Sequence, residues 1–150
     1  LRYLIFIIIS ISVVFSKNSQ TFISAGIIHQ NIDNYENSQA LHICFSYIDF
    51  SKFGFDLGYA QSFYKAKSRK TEDENNFSAL YLFPTYIIPL NNSTAFKAKA
   101  GYAKNESGDD GLGYGVDIIF QINQKSGFSI GFQKMNREIN YFMLNTVYKF

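Results

Sequence analysis

The chain has 150 residues, one domain's length, and a net charge of +2 that is too small to point to a nucleic-acid partner. Charged residues make up 17%, below the roughly 25% typical of soluble domains, while aromatics reach 18% without a Trp. A mean hydropathy of −0.08 and the lack of an apolar run of about 20 residues argue against spanning helices. Neither argues against a membrane barrel, whose strands are only half apolar.

The chain opens like a secretory signal peptide. Arg2 is a minimal positive region, Tyr3 to Phe15 is apolar apart from Ser10 and Ser12, and Val14-Phe15-Ser16 offers a cleavage site before Lys17. A short signal anchor is the alternative. The expected organisation is a signal peptide over 1–16 and one barrel domain over 17–150. Cys44 is the only cysteine, so no intramolecular disulfide forms, and its expected role is that of a small buried residue.

Eight alternating segments follow. The first, Gln20 to Gln30, carries Ile23, Ala25 and Ile27 on one face and Ser24 and Gly26 on the other. The second, Gln39 to Asp49, opposes Leu41, Ile43, Phe45 and Tyr47 to His42, Cys44 and Ser46. The third, Phe53 to Phe63, sets Phe53, Phe55, Leu57, Tyr59 and Phe63 against Gly54, Asp56, Gly58, Ala60 and Ser62. A long charged connection, 64–76, reads as solvated loop. The fourth strand, Phe77 to Ile88, sets Leu80, Leu82, Pro84, Tyr86 and Ile88 on one side, and Pro84, which cannot donate to a ladder, is expected to mark a bulge or local break.

The fifth strand, Thr94 to Ala103, alternates Phe96, Ala98, Ala100 and Tyr102 with Lys97, Lys99 and Gly101. The sixth opposes Tyr114, Val116, Ile118, Phe120 and Ile122 to Gly115, Asp117, Ile119 and Gln121. The seventh opposes Phe128, Ile130 and Phe132 to Ser129, Gly131 and Gln133. The eighth, Ile139 to Phe150, places Phe142, Leu144, Thr146, Tyr148 and Phe150 on one side and Tyr141, Met143, Asn145, Val147 and Lys149 on the other. Strict alternation is the mark of a strand whose two faces meet different solvents.

Short turns after strands two, four and six alternate with longer polar loops after one, three and five, as periplasmic turns and extracellular loops do in outer-membrane barrels. Aromatics on the apolar face gather toward both strand ends, as two membrane interfaces select. Strands of about 11 residues, rising roughly 3.3 Å each and tilted about 40°, stand close to 28 Å tall, near the apolar band of about 25 Å. A soluble barrel with an apolar interior would need a strongly charged outer face. Here the second face is Gly, Ser, Ala, Cys and a few charges, which suits a crowded lumen. The expected fold is therefore all-β, an eight-stranded antiparallel up-and-down transmembrane β-barrel preceded by a cleaved signal peptide.

Catalytic signals are weak. His29 and His42 are the only side chains with an ordinary pKa near neutrality, and they flank the first loop, where they could lie close together. No nucleophile sits beside a base in a known motif, and no recognisable spacing supplies the four ligands of a structural zinc site. No catalytic residue, metal site or cofactor is therefore expected. The lumen set says more. Lys97, Lys99 and Asp117 face inward on adjacent strands, with Asp56 elsewhere in the interior, and buried charges of opposite sign should pair. Eight strands enclose a space that side chains about fill, which favours a polar plug over an ion path.

From the fifth strand onward AFKAKAGYAKN, GLGYGVDIIFQIN, GFSIGFQKM and the final VYKF resemble the second half of the small opacity-type and enterobacterial X-type eight-stranded surface proteins. Gly101-Tyr102, Gly113-Tyr114-Gly115 and Tyr148-Lys149-Phe150 carry the likeness, with the sixth-strand aromatic inside the glycine pair rather than after it. Asn145 stands where the family's closing signal usually has Gly. The resemblance implies a non-enzymatic, monomeric surface protein of the cell outer membrane, serving adhesion, host interaction or envelope integrity. The competing classes are a narrow channel for ions or small solutes and an outer-membrane lipid-modifying enzyme. The implied partners are outer-membrane lipid and lipopolysaccharide, a host ligand met by the loops, and the barrel-assembly machinery, which would read Tyr148 and Phe150.

Overall fold

The structure, a computed structural model, describes residues 19–49 and 51–150. The signal peptide expected over 1–16 lies outside the described residues. Ten strands follow in chain order: β1 (Gln20–Ile32), β2 (Ser38–Ile48), β3 (Phe53–Ser62), β4 (Ala66–Lys67), β5 (Glu74–Asn75), β6 (Ala79–Pro89), β7 (Thr94–Asn105), β8 (Gly111–Gln121), β9 (Ser126–Lys134) and β10 (Ile139–Lys149). Eight of them close an antiparallel barrel in the order β1-β10-β9-β8-β7-β6-β3-β2. The remaining two, β4 and β5, pair with each other inside the long connection after β3.

Closure explains the alternation. Each barrel strand turns one set of side chains outward and the other into the interior. In β10, Phe142, Leu144 and Tyr148 are exposed, as is Phe150 just after it, whereas Tyr141, Met143 and Asn145 are buried. The exposed set includes Ile27, Leu41, Leu57, Leu82, Ile118 and Ile130, large apolar side chains that water would penalise and a lipid bilayer would not. Aromatic rings pair across strands on this outer surface near the turns. Phe53 and Tyr86 lie with ring centroids 4.7 Å apart, and Phe120 stacks on Phe128 at 4.7 Å. Phe132 and Phe142 make a similar pair at 5.2 Å in the half nearer the loops.

The register fixes the tilt. Following cross-strand partners from Phe53 through Tyr86, Ala98, Val116, Phe132, Phe142, His29 and Gln39 completes the circuit. Gln39 then accepts a hydrogen bond from the Phe63 amide, ten residues from the starting point on the same stretch of chain. A stagger of this size can be accommodated only if the strands lean well away from the barrel axis.

Asx side chains build most of the short connections. Asp49 accepts from the Ser51 amide, Asn91 from Ser93, and Asn123 from both Lys125 and Ser126. Asn136 does the same for Glu138 and Ile139 at the opposite end. These oxygens mimic a backbone turn and let the chain reverse within a few residues.

One expectation needs correction. Only one connection, 63–78, is long, because β1 and β7 run on to Ile32 and Asn105 and take up residues expected in loops. Pro84 marks a local break, one of the two outcomes expected of it, and no bulge. Pairing of β6 with β7 lapses between Leu82↔Tyr102 and Thr85↔Lys99 and resumes in unchanged register, while Pro84 stays opposite Phe55 of β3. A missing N–H interrupts one ladder locally, and the flanking residues keep the strands aligned.

Candidate functional site: the barrel interior

The interior has three zones. At the loop end the long connection folds back over the mouth. Phe77 is buried and meets the Tyr35 ring edge-on at 4.9 Å, and the Tyr35 hydroxyl accepts a hydrogen bond of 2.7 Å from Asn75 Nδ2. Gln30 Nε2 donates to the Phe77 carbonyl at 2.9 Å, and Tyr141 donates to the same oxygen at 3.2 Å. Ser62 donates to Gln30 Oε1 at 2.9 Å, so the amide bonds through both ends. Ile28, Ile32, Met135 and Ile139 are fully buried around this network. The outer mouth is therefore closed by packed side chains.

The middle zone holds the charges. Lys97 Nζ lies 2.7 Å from Asp56 Oδ2 and 3.3 Å from Asp117 Oδ2. Lys99 Nζ lies 2.8 Å from the same Asp117 oxygen and 3.9 Å from Asp56. Ser46 donates to the other Asp56 oxygen at 2.7 Å. The cluster draws on β3, β7 and β8, with Asp56 reaching Lys97 across the interior past β6. Two ammonium and two carboxylate groups share the space, so each buried charge has opposite charges beside it. Beside the cluster, His42 is held by Asn145 Oδ1 at Nδ1 and the Tyr81 hydroxyl at Nε2, each at 2.7 Å.

The third zone is open. A cavity of about 400 Å³ runs from the ion cluster to the end of the barrel marked by the short turns. Phe22, Ile48, Ile87 and Ile119 line its walls, with Lys52, Lys125 and Lys149 among its rim residues.

Glycines make room for the large interior rings. A Cβ at Gly58 would collide with the Tyr81 ring, and one at Gly113 would press on Phe83. A Cβ at Gly131 would strike the Asp117 carboxylate.

Tyr81, Phe83, Gln30 and Phe77 are interior residues that sequence reasoning passed over, and Tyr141, placed on the inward face, was given no role. Alternation already put Tyr81 and Phe83 opposite Leu80 and Leu82. Their inward aromatic bulk, facing glycines, was the available signal. His29 and His42 do not form a pair: His29 points outward and lies 3.3 Å from Asn37, whereas His42 is buried in the interior. Among the described residues no three His, Cys, Asp or Glu side chains converge as metal ligands would. Cys44 is free and buried. Tyr148 and Phe150 sit on the outer surface at the turn end, in edge-to-face contact at 5.4 Å.

Strands closed on each other, apolar outside and hydrogen-bonded inside, define a small transmembrane β-barrel. No family model and no curated protein sequence matches the chain. Solved structures do match. OprG of Pseudomonas aeruginosa is 14% identical, with a TM-score of 0.66 over 89% of this chain and 97% of that one. Ail, the attachment invasion locus protein of Yersinia pestis, is 15% identical, with a TM-score of 0.64 over 89% and 99%. A de novo designed transmembrane β-barrel is 10% identical, with a TM-score of 0.69 over 90% and 98%. The shared feature is the fold, that of the small eight-stranded outer-membrane barrels.

Proposed function

We propose that the chain is a non-enzymatic, non-conducting surface protein of the outer membrane, acting through its loop end in adhesion, host interaction or envelope integrity. The observation that carries this reading is the sealed outer mouth, where Gln30, Tyr141 and Phe77 are hydrogen-bonded beneath the long connection. The same connection raises the β4–β5 hairpin, which Tyr35 anchors through its bridge to Ser68 and its bond from Asn75. Lys65, Lys67, Arg69, Lys70, Glu72, Asp73 and Glu74 are all exposed there, offering charges of both signs to a ligand. Likeness to a protein described as an attachment invasion locus supports the same direction. Lipopolysaccharide and outer-membrane lipid are the proposed surroundings, a host surface molecule the proposed loop ligand, and a monomer the proposed state.

Catalysis gains nothing from His42, whose two ring nitrogens are engaged by Asn145 and Tyr81 rather than by a nucleophile. A narrow ion path is the second reading, favoured by the cavity that reaches the ion cluster from one end. Planar-bilayer recording decides between them. The purified barrel should show no steady conductance, and Phe77→Ala combined with Tyr141→Ala should raise it. Stable single-channel currents from the unmodified protein would establish the channel instead. Exchange of 65–74 for a Gly/Ser linker should abolish adherence to host cells while the barrel stays folded.

A further inference from the structure

The lumen-facing positions of a membrane barrel are ordinarily polar, because they border water or one another's hydrogen-bonding groups. The turn-side cavity departs from that rule. Phe22, Ile48, Ile87, Ala95, Ile119 and Val147 line it on six different strands. The mainly apolar surface, interrupted by Ser24 and Ser129, lies between two charged levels: the Asp56, Lys97, Lys99 and Asp117 cluster at the floor, and Asp49, Lys52, Lys125 and Lys149 toward the turns. Water alone would satisfy either polar level but not the wall between them.

The charges favour one sign of ligand. Five lysines (52, 97, 99, 125 and 149) and three aspartates (49, 56 and 117) line the cavity. The floor pairs two of each and is neutral, so the formal excess of two positive charges sits at the rim, where Lys52, Lys125 and Lys149 outnumber Asp49. At the floor the Lys97 ammonium, with three N–H groups, faces Asp56 and Asp117 and has one donor left for a group in the cavity. Both floor lysines line the cavity, and the Lys97 side chain, 9% exposed against 2% for Lys99, is the more accessible of the two. The volume of about 400 Å³ lies in the range of small-molecule sites, which are mostly apolar with a few placed polar groups.

We propose that this cavity binds a small anionic amphiphile, its head group at the Lys97 ammonium and its hydrocarbon body along the apolar wall. The ligand enters head first from the turn end, drawn by the rim lysines. The site is separate from the loop surface and stands or falls independently of the surface role.

Sodium octanoate is a suitable probe. It should be titrated calorimetrically into the full barrel in zwitterionic lipid nanodiscs, against empty nanodiscs as reference. Saturable one-to-one binding is expected above the reference. Lys97→Met should weaken it at least about tenfold, the loss of a charge-assisted contact. Ala95→Phe, which fills the cavity away from the ion cluster, should abolish it while a boiling-dependent gel shift reports an intact barrel. If Lys97→Met does not fold, Ala95→Phe decides the question. Heat no greater than that of empty nanodiscs would overturn the proposal. So would equal affinity for octylammonium, or unchanged octanoate binding in folded Ala95→Phe.

Discussion

At the scale of single residues the interior is a set of compensated charges and made-to-measure gaps. Removing one member of the Asp56, Lys97, Lys99 and Asp117 cluster leaves a buried charge short of a partner. Asp56→Leu should therefore cost about 3–5 kcal/mol. Replacing all four by apolar residues of similar volume should cost far less, since the desolvation penalty disappears with the charges. Urea unfolding midpoints of the two variants, refolded in the same bilayer, test this ordering, and a more stable Asp56→Leu single variant would refute it. Gly58 makes a sharper case. Its missing side chain is the space the Tyr81 ring occupies, so Gly58→Ala must displace that ring and with it the hydroxyl that binds His42. Overpacking of this kind costs about 1–3 kcal/mol. Tyr81→Phe keeps the ring and loses only the hydrogen bond, so it should be the milder change in the same assay.

At the scale of elements, the seam between β1 and β10 decides whether the barrel closes. Eleven cross-strand partners, from Phe22↔Lys149 to Ile32↔Ile139, join the two strands. Gly26 sits in the middle of that ladder, and a Cβ there would run into the Leu144 carbonyl and Asn145. Gly26→Val should slow or prevent closure, visible as a larger fraction of chain that migrates unfolded before boiling. Tyr148 and Phe150 bear on assembly in another way. Both rings lie on the outer surface, and Phe150 is 65% exposed, so truncation removes little interior packing. Phe150→Ala should therefore leave the stability of the refolded barrel nearly unchanged yet lower the amount assembled in cells. Comparing refolded stability with cellular yield separates a recognition role from a packing role. The β4–β5 hairpin, by contrast, contributes its pairing only to itself and to residues 34–36 and 68–69. Its exchange should spare the barrel.

At the scale of the whole molecule, a closed ladder with an apolar exterior should survive detergent and migrate differently on a gel before and after boiling. Identical migration, together with solubility in the absence of detergent, would refute the membrane barrel. The match to a designed barrel at 10% identity shows how little of this fold depends on particular residues. What it requires is alternation along strands that close on one another. Alternation and turn chemistry are local, with a period of two or a reach of a few residues, which is why eight strands and their outward faces were readable in the amino-acid sequence. The sequence also singled out Asp56, Lys97, Lys99 and Asp117, since charge on an inward position is conspicuous.

Contacts between distant parts of the chain were another matter. Nothing local puts Asp56 within 2.7 Å of Lys97 or folds Phe77 back onto Gln30 and Tyr141. These depend on the shear of the closed sheet, which decides the height at which each inward residue meets those across the lumen. The alternating sequence by itself determined a barrel and the environment of each face. Only the tertiary structure decided that one mouth is sealed, the other is open, and the cavity between the ion cluster and the turns has apolar walls. Those outcomes follow from side chains brought together by ring closure rather than by proximity along the chain.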